Sequence, residues 1–206
     1  MAAALPEKVG IFAKHLSRWG RKSNLTASPN DPAEILFHVM DSMAPVWIAA
    51  KQPQSALGRV FGGECRLMDI GSGAGFPGLI LAAATGAETT LVESRRKRAN
   101  FLDTAAAAMG LSNVTIVQTR VTSENVPTGF DLVTIRAISV SPEFFELASI
   151  ALKPGGVAVA YLSGRQEFDG EAAAESSLVQ LLSPHYDLSR GGVKVSRALG
   201  LWLKKS

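Results

Sequence analysis

Cysteine is nearly absent from this 206-residue chain: Cys65 stands alone, so no disulfide framework can hold the fold together. Histidine is scarce as well, at three residues, which leaves no Cys/His set for a structural zinc site, and no metal is expected. No uninterrupted run of about 18 apolar residues occurs, so no segment reads as a bilayer-spanning helix. Pro6, Glu7 and Lys8 break the apolar N-terminal stretch, which therefore lacks the charged, apolar, small-residue order of a secretory leader. Charged residues are limited to 19% while apolar residues reach 47%, a balance that builds a core and excludes disorder. The expectation is a cytoplasmic protein away from membranes. Its modest basic excess, +3, permits a nucleic-acid partner without demanding one. With no heptad run or apolar edge, it reads as a monomer.

The chain divides near Lys51 to Gly63, where Pro53, Gly58, Gly62 and Gly63 interrupt the periodicity. Residues 1–63 read as a helical extension packing on a core domain of residues 64–206. A first helix is expected over Glu7–Trp19, with Val9, Phe12, Ala13, Leu16 and Trp19 at helical spacing. A second begins at Asp31-Pro32-Ala33-Glu34, a cap, a first-turn proline and an acid, and continues to Met43. Beyond residue 63 strand and helix alternate. Strands are predicted at Arg66–Ile70, Thr89–Glu93, Val114–Gln118, Asp131–Arg136 and Val157–Leu162, with helices over Pro77–Thr85, Arg95–Met109 and Pro142–Leu152. Such alternation of apolar strands with helices makes an α/β fold, a mostly parallel sheet covered on both faces. Residues 165–185 read as helical. Tyr186–Leu188 and Val193–Leu203, joined through Ser189 to Gly192, read as an antiparallel hairpin at the sheet edge.

The densest chemistry is Asp69-Ile70-Gly71-Ser72-Gly73-Ala74-Gly75-Phe76-Pro77-Gly78. A buried strand ends in an acid, and a glycine-rich turn leads into a helix, where backbone can approach a ligand closely and free N–H groups face it. The next strand ends at Glu93, whose carboxylate can accept both hydroxyls of a ribose. A dinucleotide fingerprint shares the Gly73, Gly75, Gly78 spacing. Asp69, two residues ahead of the first glycine, suits the amino group of a methionine moiety better than a pyrophosphate, and so favours S-adenosylmethionine. A nicotinamide dinucleotide and a bare structural turn stay open on the residues alone.

These residues, with Phe130-Asp131-Leu132-Val133 and Leu152-Lys153-Pro154-Gly155-Gly156, resemble class I S-adenosylmethionine-dependent methyltransferases. A narrower resemblance, to the RsmG (GidB) family, rests on Gly71 to Gly78, Leu91-Val92-Glu93-Ser94, Thr134-Ile135-Arg136-Ala137, Asn24-Leu25-Thr26 and His38-Val39-Met40-Asp41-Ser42. Two departures stand out: Trp19 is followed by Gly20 where the family has Trp-Asn, and Val121-Thr122 replaces an acid after the third strand.

The resemblance implies a Rossmann-like methyltransferase acting on N7 of a guanine in the 530 loop of 16S ribosomal RNA, with S-adenosylmethionine as cofactor and the RNA or small ribosomal subunit as partner. It implies that Gly71, Phe76, Val121, Thr122 and Arg136 line the cofactor site, beside Asp69, Gly73, Gly75 and Glu93. For Arg136, at the end of a buried strand, an ion pair with Glu93 or Asp69 is the alternative. Guanine N7 carries an in-plane lone pair and loses no proton on attack, so no general base is expected, and Arg136 would serve to orient. RNA-binding candidates are Arg18, Arg21, Lys22, Asn24, His38, Arg165 and Arg197, with a further basic run at Arg95-Arg96-Lys97-Arg98. His38, Asp41 and Ser42 share one helical face, as a local hydrogen-bond cluster would. An RNA-binding assembly factor and a small-molecule methyltransferase are the competing functions.

Overall fold

A computed structural model describes residues 4–23, 25–136, 140–164, 177–181 and 183–205, with backbone alone for residues 20–23. Four helices precede the first strand: α1 (Leu5–Ser23), α2 (Pro32–Ser42), α3 (Ala44–Lys51) and α4 (Ala56–Phe61). The sheet then alternates with helices through β1 (Arg66–Ile70), α5 (Gly78–Thr85), β2 (Glu88–Val92), α6 (Arg96–Ala108), β3 (Val114–Val117), β4 (Phe130–Arg136), α7 (Pro142–Ala151) and β5 (Leu152–Ser163). Three strands close the chain: β6 (Leu178–Gln180), β7 (His185–Arg190) and β8 (Val193–Lys204).

The sheet order is β3-β2-β1-β4-β5-β8-β6, with β7 also on β8. The first five strands pair in parallel and β8 runs antiparallel to β5. The chain reverses direction across the sheet between β1 and β4, which opens a crevice at the carboxyl ends of those strands. Successive strand residues face opposite sides. Met68, Ile70, Val133, Ile135, Ala158 and Ala160 pack with Phe144 and Phe145 of α7. Leu67, Leu132, Val157 and Val159 pack with Ala49 of α3 and Leu57 of α4. Phe12 and Leu16 of α1 bury against Phe76, Leu79 and Phe101, so the N-terminal helices share the core of the sheet's helical layer.

Three expectations need correction. The segment 51–63 is not a plain break, because α4 lies inside it, capped by Ser55, whose hydroxyl accepts from the Gly58 N–H at 3.1 Å. The C-terminal hairpin is not a simple edge pair: β8 is interior, flanked by β5 on one side and by β6 and β7 on the other. Within the stretch read as helical, residues 178–180 form β6. The tight β7–β8 link is as expected, with Gly191 and Gly192 both at positive φ, the conformation a two-residue hairpin loop demands.

Candidate functional site

Two adjoining cavities open at the carboxyl ends of β1, β2 and β4, and Gly71 and Ser94 line both. The smaller, about 220 Å³, is walled by Val92, Val121, Ile135, Phe144 and Leu147. The larger, about 510 Å³, is lined by the Gly71–Ala74 turn, Phe76, Glu93, His38 and Arg136, with Arg95 and Arg98 at its border. Volumes of this size suit a small-molecule ligand.

The turn is built from within. Gly71 and Ser72 donate to the Val92 carbonyl at 2.8 and 3.0 Å, and Gly71, Gly73 and Gly75 all hold positive φ. Glu93 is 4% exposed. One of its oxygens accepts the Gly73 N–H at 3.0 Å and the other the Arg95 N–H at 2.8 Å. Each oxygen keeps a second lone-pair site, so the carboxylate braces the turn and can still receive hydroxyls.

Asp69 takes a different place from the one its sequence position suggested. Its carboxyl is fully buried, accepts from the Thr134 hydroxyl at 2.7 Å and the Gly78 N–H at 3.3 Å, and lines neither cavity. Burial, the largest influence, raises its pKa to about 6 against those hydrogen bonds. It couples the end of β1 to the start of α5. Gly75 also lies off both cavities. Thr122 is exposed and outside both linings, and its N–H is donated to the Asn125 side chain at 2.8 Å. Val121 does wall the smaller cavity.

Arg136 pairs with neither Glu93 nor Asp69. Its counter-ion is Asp41 of α2, 3.1 Å away. The same Nη2 lies 2.6 Å from His38 Nδ1. A guanidinium can only donate, so Nδ1 accepts and the neutral ring carries its hydrogen on Nε2. Burial first, then the neighbouring Arg136 charge, lower the His38 pKa to about 4. The Phe76 ring lies beneath both groups, 5.2 Å from the imidazole and 5.7 Å from the guanidinium carbon.

Asp41 is completely buried and also accepts from Arg197 Nε and Nη2, each at 3.0 Å, and from the Tyr186 hydroxyl at 2.7 Å. Arg197 is thus drawn into this cluster, its side chain 14% exposed. Glu34, one turn before His38, takes a two-nitrogen hydrogen bond from Arg190. The spacing of Glu34, His38 and Asp41 on one helical face is legible in sequence; their partners on β4, β7 and β8 are not. The Ser42 hydroxyl donates to the His38 carbonyl at 2.7 Å, so the expected local cluster exists but is only its smaller part.

Of the other RNA candidates, Arg18 is exposed beside the α1–α2 groove, away from the two cavities. Asn24 and Arg165 lie outside the described residues, as do the side chains of Arg21 and Lys22. Arg95, Arg96 and Lys97 are exposed at the start of α6. Among the described residues, no group of three His, Cys, Asp or Glu side chains could hold a metal ion, and no helix is long and apolar enough to cross a membrane.

A pH dependence follows from His38. Its folded pKa lies below the ordinary 6.5, so between about 4 and 6.5 the unfolded chain binds a proton that the folded chain does not. The stability it contributes is complete above pH 6.5 and is lost as pH falls toward 4. Relative to His38→Asn, the wild type is expected to lose up to about 3 kcal/mol across that window. Urea unfolding at pH 7 and pH 4.5 measures this, and parallel losses in the two proteins would refute it.

The donors and walls fit an adenosine bearing a charged tail: an apolar slot for a flat ring, a carboxylate for hydroxyls, and an arginine for an anionic group. The solved structures with similar folds include a mutant of MtNAS in complex with S-adenosylmethionine, at 16% identity and TM-score 0.58 over 98% of this chain and 76% of that one. Another is precorrin-6y C5,15-methyltransferase from Geobacter metallireducens, at 17% identity and TM-score 0.51 over 69% and 81% of the two chains. At such identities the likeness is one of fold. Sequence relatives are nearer. Ribosomal RNA small subunit methyltransferase G of Coxiella burnetii is 35% identical over 74% of this chain and 69% of its own. Those of Acidovorax sp. and Myxococcus xanthus are 33% and 34% identical, covering 94% and 88% of this chain and 84% and 79% of their own lengths. The GidB family model, described as rRNA small subunit methyltransferase G, matches residues 6–186. With that match over most of its length, the chain belongs to the GidB family of ribosomal RNA small subunit methyltransferases.

Proposed function

We propose that this S-adenosylmethionine-dependent ribosomal RNA methyltransferase modifies N7 of a guanine in the 530 loop of 16S RNA, and does so by positioning alone. The observation that carries the mechanism is the state of His38, a histidine lining the larger cavity. Its Nδ1 lone pair is engaged by Arg136 and its other nitrogen is protonated, so it has no lone pair with which to take a proton from a substrate. Guanine N7 needs no such help, because its in-plane lone pair attacks without prior deprotonation.

Bound S-adenosylmethionine supplies an electrophilic methyl group on a sulfonium. The protein's task is to hold the acceptor in line with it and to keep water out. In this reading Val92, Val121, Ile135 and Phe144 clasp the adenine, and Glu93 receives the ribose hydroxyls. Gly71 and Gly73 bring backbone close, and Arg136 takes the carboxylate of the methionine tail. Phe76 and His38 form the wall toward the target base. The exposed cations Arg95 and Arg120 border this opening and suit RNA phosphates, whose contacts weaken steeply with salt.

The test follows methyl transfer from saturating methyl-labelled S-adenosylmethionine to unmodified small ribosomal subunits between pH 6 and 9. Label is expected in RNA rather than protein, at a rate nearly independent of pH. A rate that climbs through an apparent pKa near neutrality would reveal an essential base and overturn the mechanism.

A further inference from the structure

We propose that His38 and Asp41 are positioning residues for the transfer, acting through Arg136; this rests on the reading above that Arg136 holds a ligand group. Three arginines in one cluster are used in two different ways. Arg197 meets Asp41 with both Nε and Nη2, and Arg190 meets Glu34 with the same two nitrogens. Both are two-point pairs, the geometry a guanidinium adopts when its purpose is to neutralise a carboxylate.

Arg136 behaves differently. Both of its contacts, the hydrogen bond with His38 Nδ1 at 2.6 Å and the ion pair with Asp41 Oδ2 at 3.1 Å, are made by the single nitrogen Nη2. Among the described residues Nη1 is a buried donor without a partner, on a side chain that lines the larger cavity. Leaving a buried donor unpaired is costly, and a residue serving only structure would turn to use it. Because the guanidinium is planar and rigid, fixing Nη2 from α2 over the Phe76 ring also fixes Nη1. The side chain is anchored at one corner and open at another.

Asp41 cannot itself serve the ligand. One oxygen accepts from Tyr186 and Arg197 Nε and the other from Arg197 Nη2, and that second oxygen also forms the ion pair with Arg136 Nη2. Three of its roughly four lone-pair sites are filled by hydrogen bonds, and the Arg136 cation lies against the carboxylate beside them. His38 has likewise spent its only acceptor. Charge points the same way: with His38 neutral, the two carboxylates Glu34 and Asp41 face three guanidiniums, an excess of one positive charge beside the cavity. The cluster is completed by an anionic group on the ligand, here the methionine carboxylate.

The test compares His38→Ala with His38→Asn, whose amide oxygen can stand where Nδ1 stands and accept from Nη2. S-adenosylhomocysteine binding is read by calorimetry, and kcat and KM for S-adenosylmethionine are read on small subunits. Unfolding temperatures of the ligand-free proteins serve as controls. His38→Ala is expected to weaken S-adenosylhomocysteine binding about tenfold or more, the measure of one charge-assisted hydrogen bond, and to raise KM for S-adenosylmethionine in step. His38→Asn recovers most of this. In an Arg136→Met background His38→Ala should add nothing, since its route is gone. Equal losses from His38→Ala in both backgrounds would mean that His38 touches the ligand itself, and would overturn the proposal. So would unchanged affinity in His38→Ala. A wild type that fails to bind S-adenosylhomocysteine would instead overturn the underlying reading of the cavity, so the two failures are distinguishable.

Discussion

Asp41→Ala is expected to lower the stability of the folded protein by about 3–5 kcal/mol, the cost of stripping one partner from a buried ion pair. The carboxylate is completely buried, and the guanidiniums of Arg136 and Arg197 are only 11% and 14% exposed. Its removal leaves two buried cations facing each other and takes the acceptor from the Tyr186 hydroxyl. The loss also unlocks α2, which Asp41 ties to β4, β7 and β8. Against a typical total of about 5–15 kcal/mol, such a change would leave a marginal fold. Asp41→Asn keeps an oxygen acceptor and the shape, and should fall between wild type and alanine. Urea unfolding at neutral pH measures all three, and a cost below about 1 kcal/mol for alanine would show that the cluster is not the clamp described.

Gly78→Ala is expected to damage both fold and cofactor binding. A Cβ at this position would lie 2.3 Å from Leu91 Cδ2 and 2.7 Å from Asp69 Oδ2, distances that force something to move. Neither neighbour can yield cheaply. Leu91 is fully buried in the core between α5 and α6, and the Asp69 carboxyl is held by Thr134 and by the Gly78 N–H itself. The relief available is displacement of α5 away from β1, which shifts the Gly71–Phe76 turn that lines the cavity. Overpacking of this kind costs about 1–3 kcal/mol in stability. The binding effect should be larger than that cost suggests, with S-adenosylhomocysteine affinity lower by about a hundredfold, since the turn contributes several contacts together. Gly86→Ala, at a glycine with open space around it but at positive φ, is the control. It should lose some stability and keep its affinity.

The parallel strands are readable because each is a short apolar run set between helical stretches, and β1 through β4 begin and end within a residue or so of expectation. The errors have physical causes. Gly58 reads as a break in the sequence, but it sits inside α4, where an added Cβ would meet the Pro53 carbonyl oxygen at 2.3 Å. There glycine marks close approach of two backbones, and a sequence does not distinguish that use from chain reversal. The fifth strand is expected only from Val157, yet β5 already begins at Leu152, and Lys153-Pro154-Gly155-Gly156 is absorbed as a register shift against Phe130 and Leu132 of β4. β6 has three residues, too few to show alternation.

The site was legible where chemistry is local. The Gly71–Phe76 turn and Glu93 lie together because a strand–turn–helix unit and the neighbouring strand end always meet there. What escaped is long-range. Asp41 and Arg136 are far apart along the chain, as are Asp41 and Arg197, and no pattern of spacing pairs them. Asp69 shows the opposite case: its motif position is plain in sequence, but its burial against Thr134 and Gly78, outside both cavity linings, is not.

The measurement that bears most directly on the account uses small ribosomal subunits from cells lacking this activity, incubated with the enzyme and methyl-labelled S-adenosylmethionine. The RNA is then digested to nucleosides, separated, and the labelled position mapped. The account predicts one labelled nucleoside, 7-methylguanosine, from the 530 loop, strongly diminished with Arg136→Ala. Label in a different nucleoside, or in ribosomal protein, or no transfer by an enzyme that binds S-adenosylhomocysteine, would contradict it.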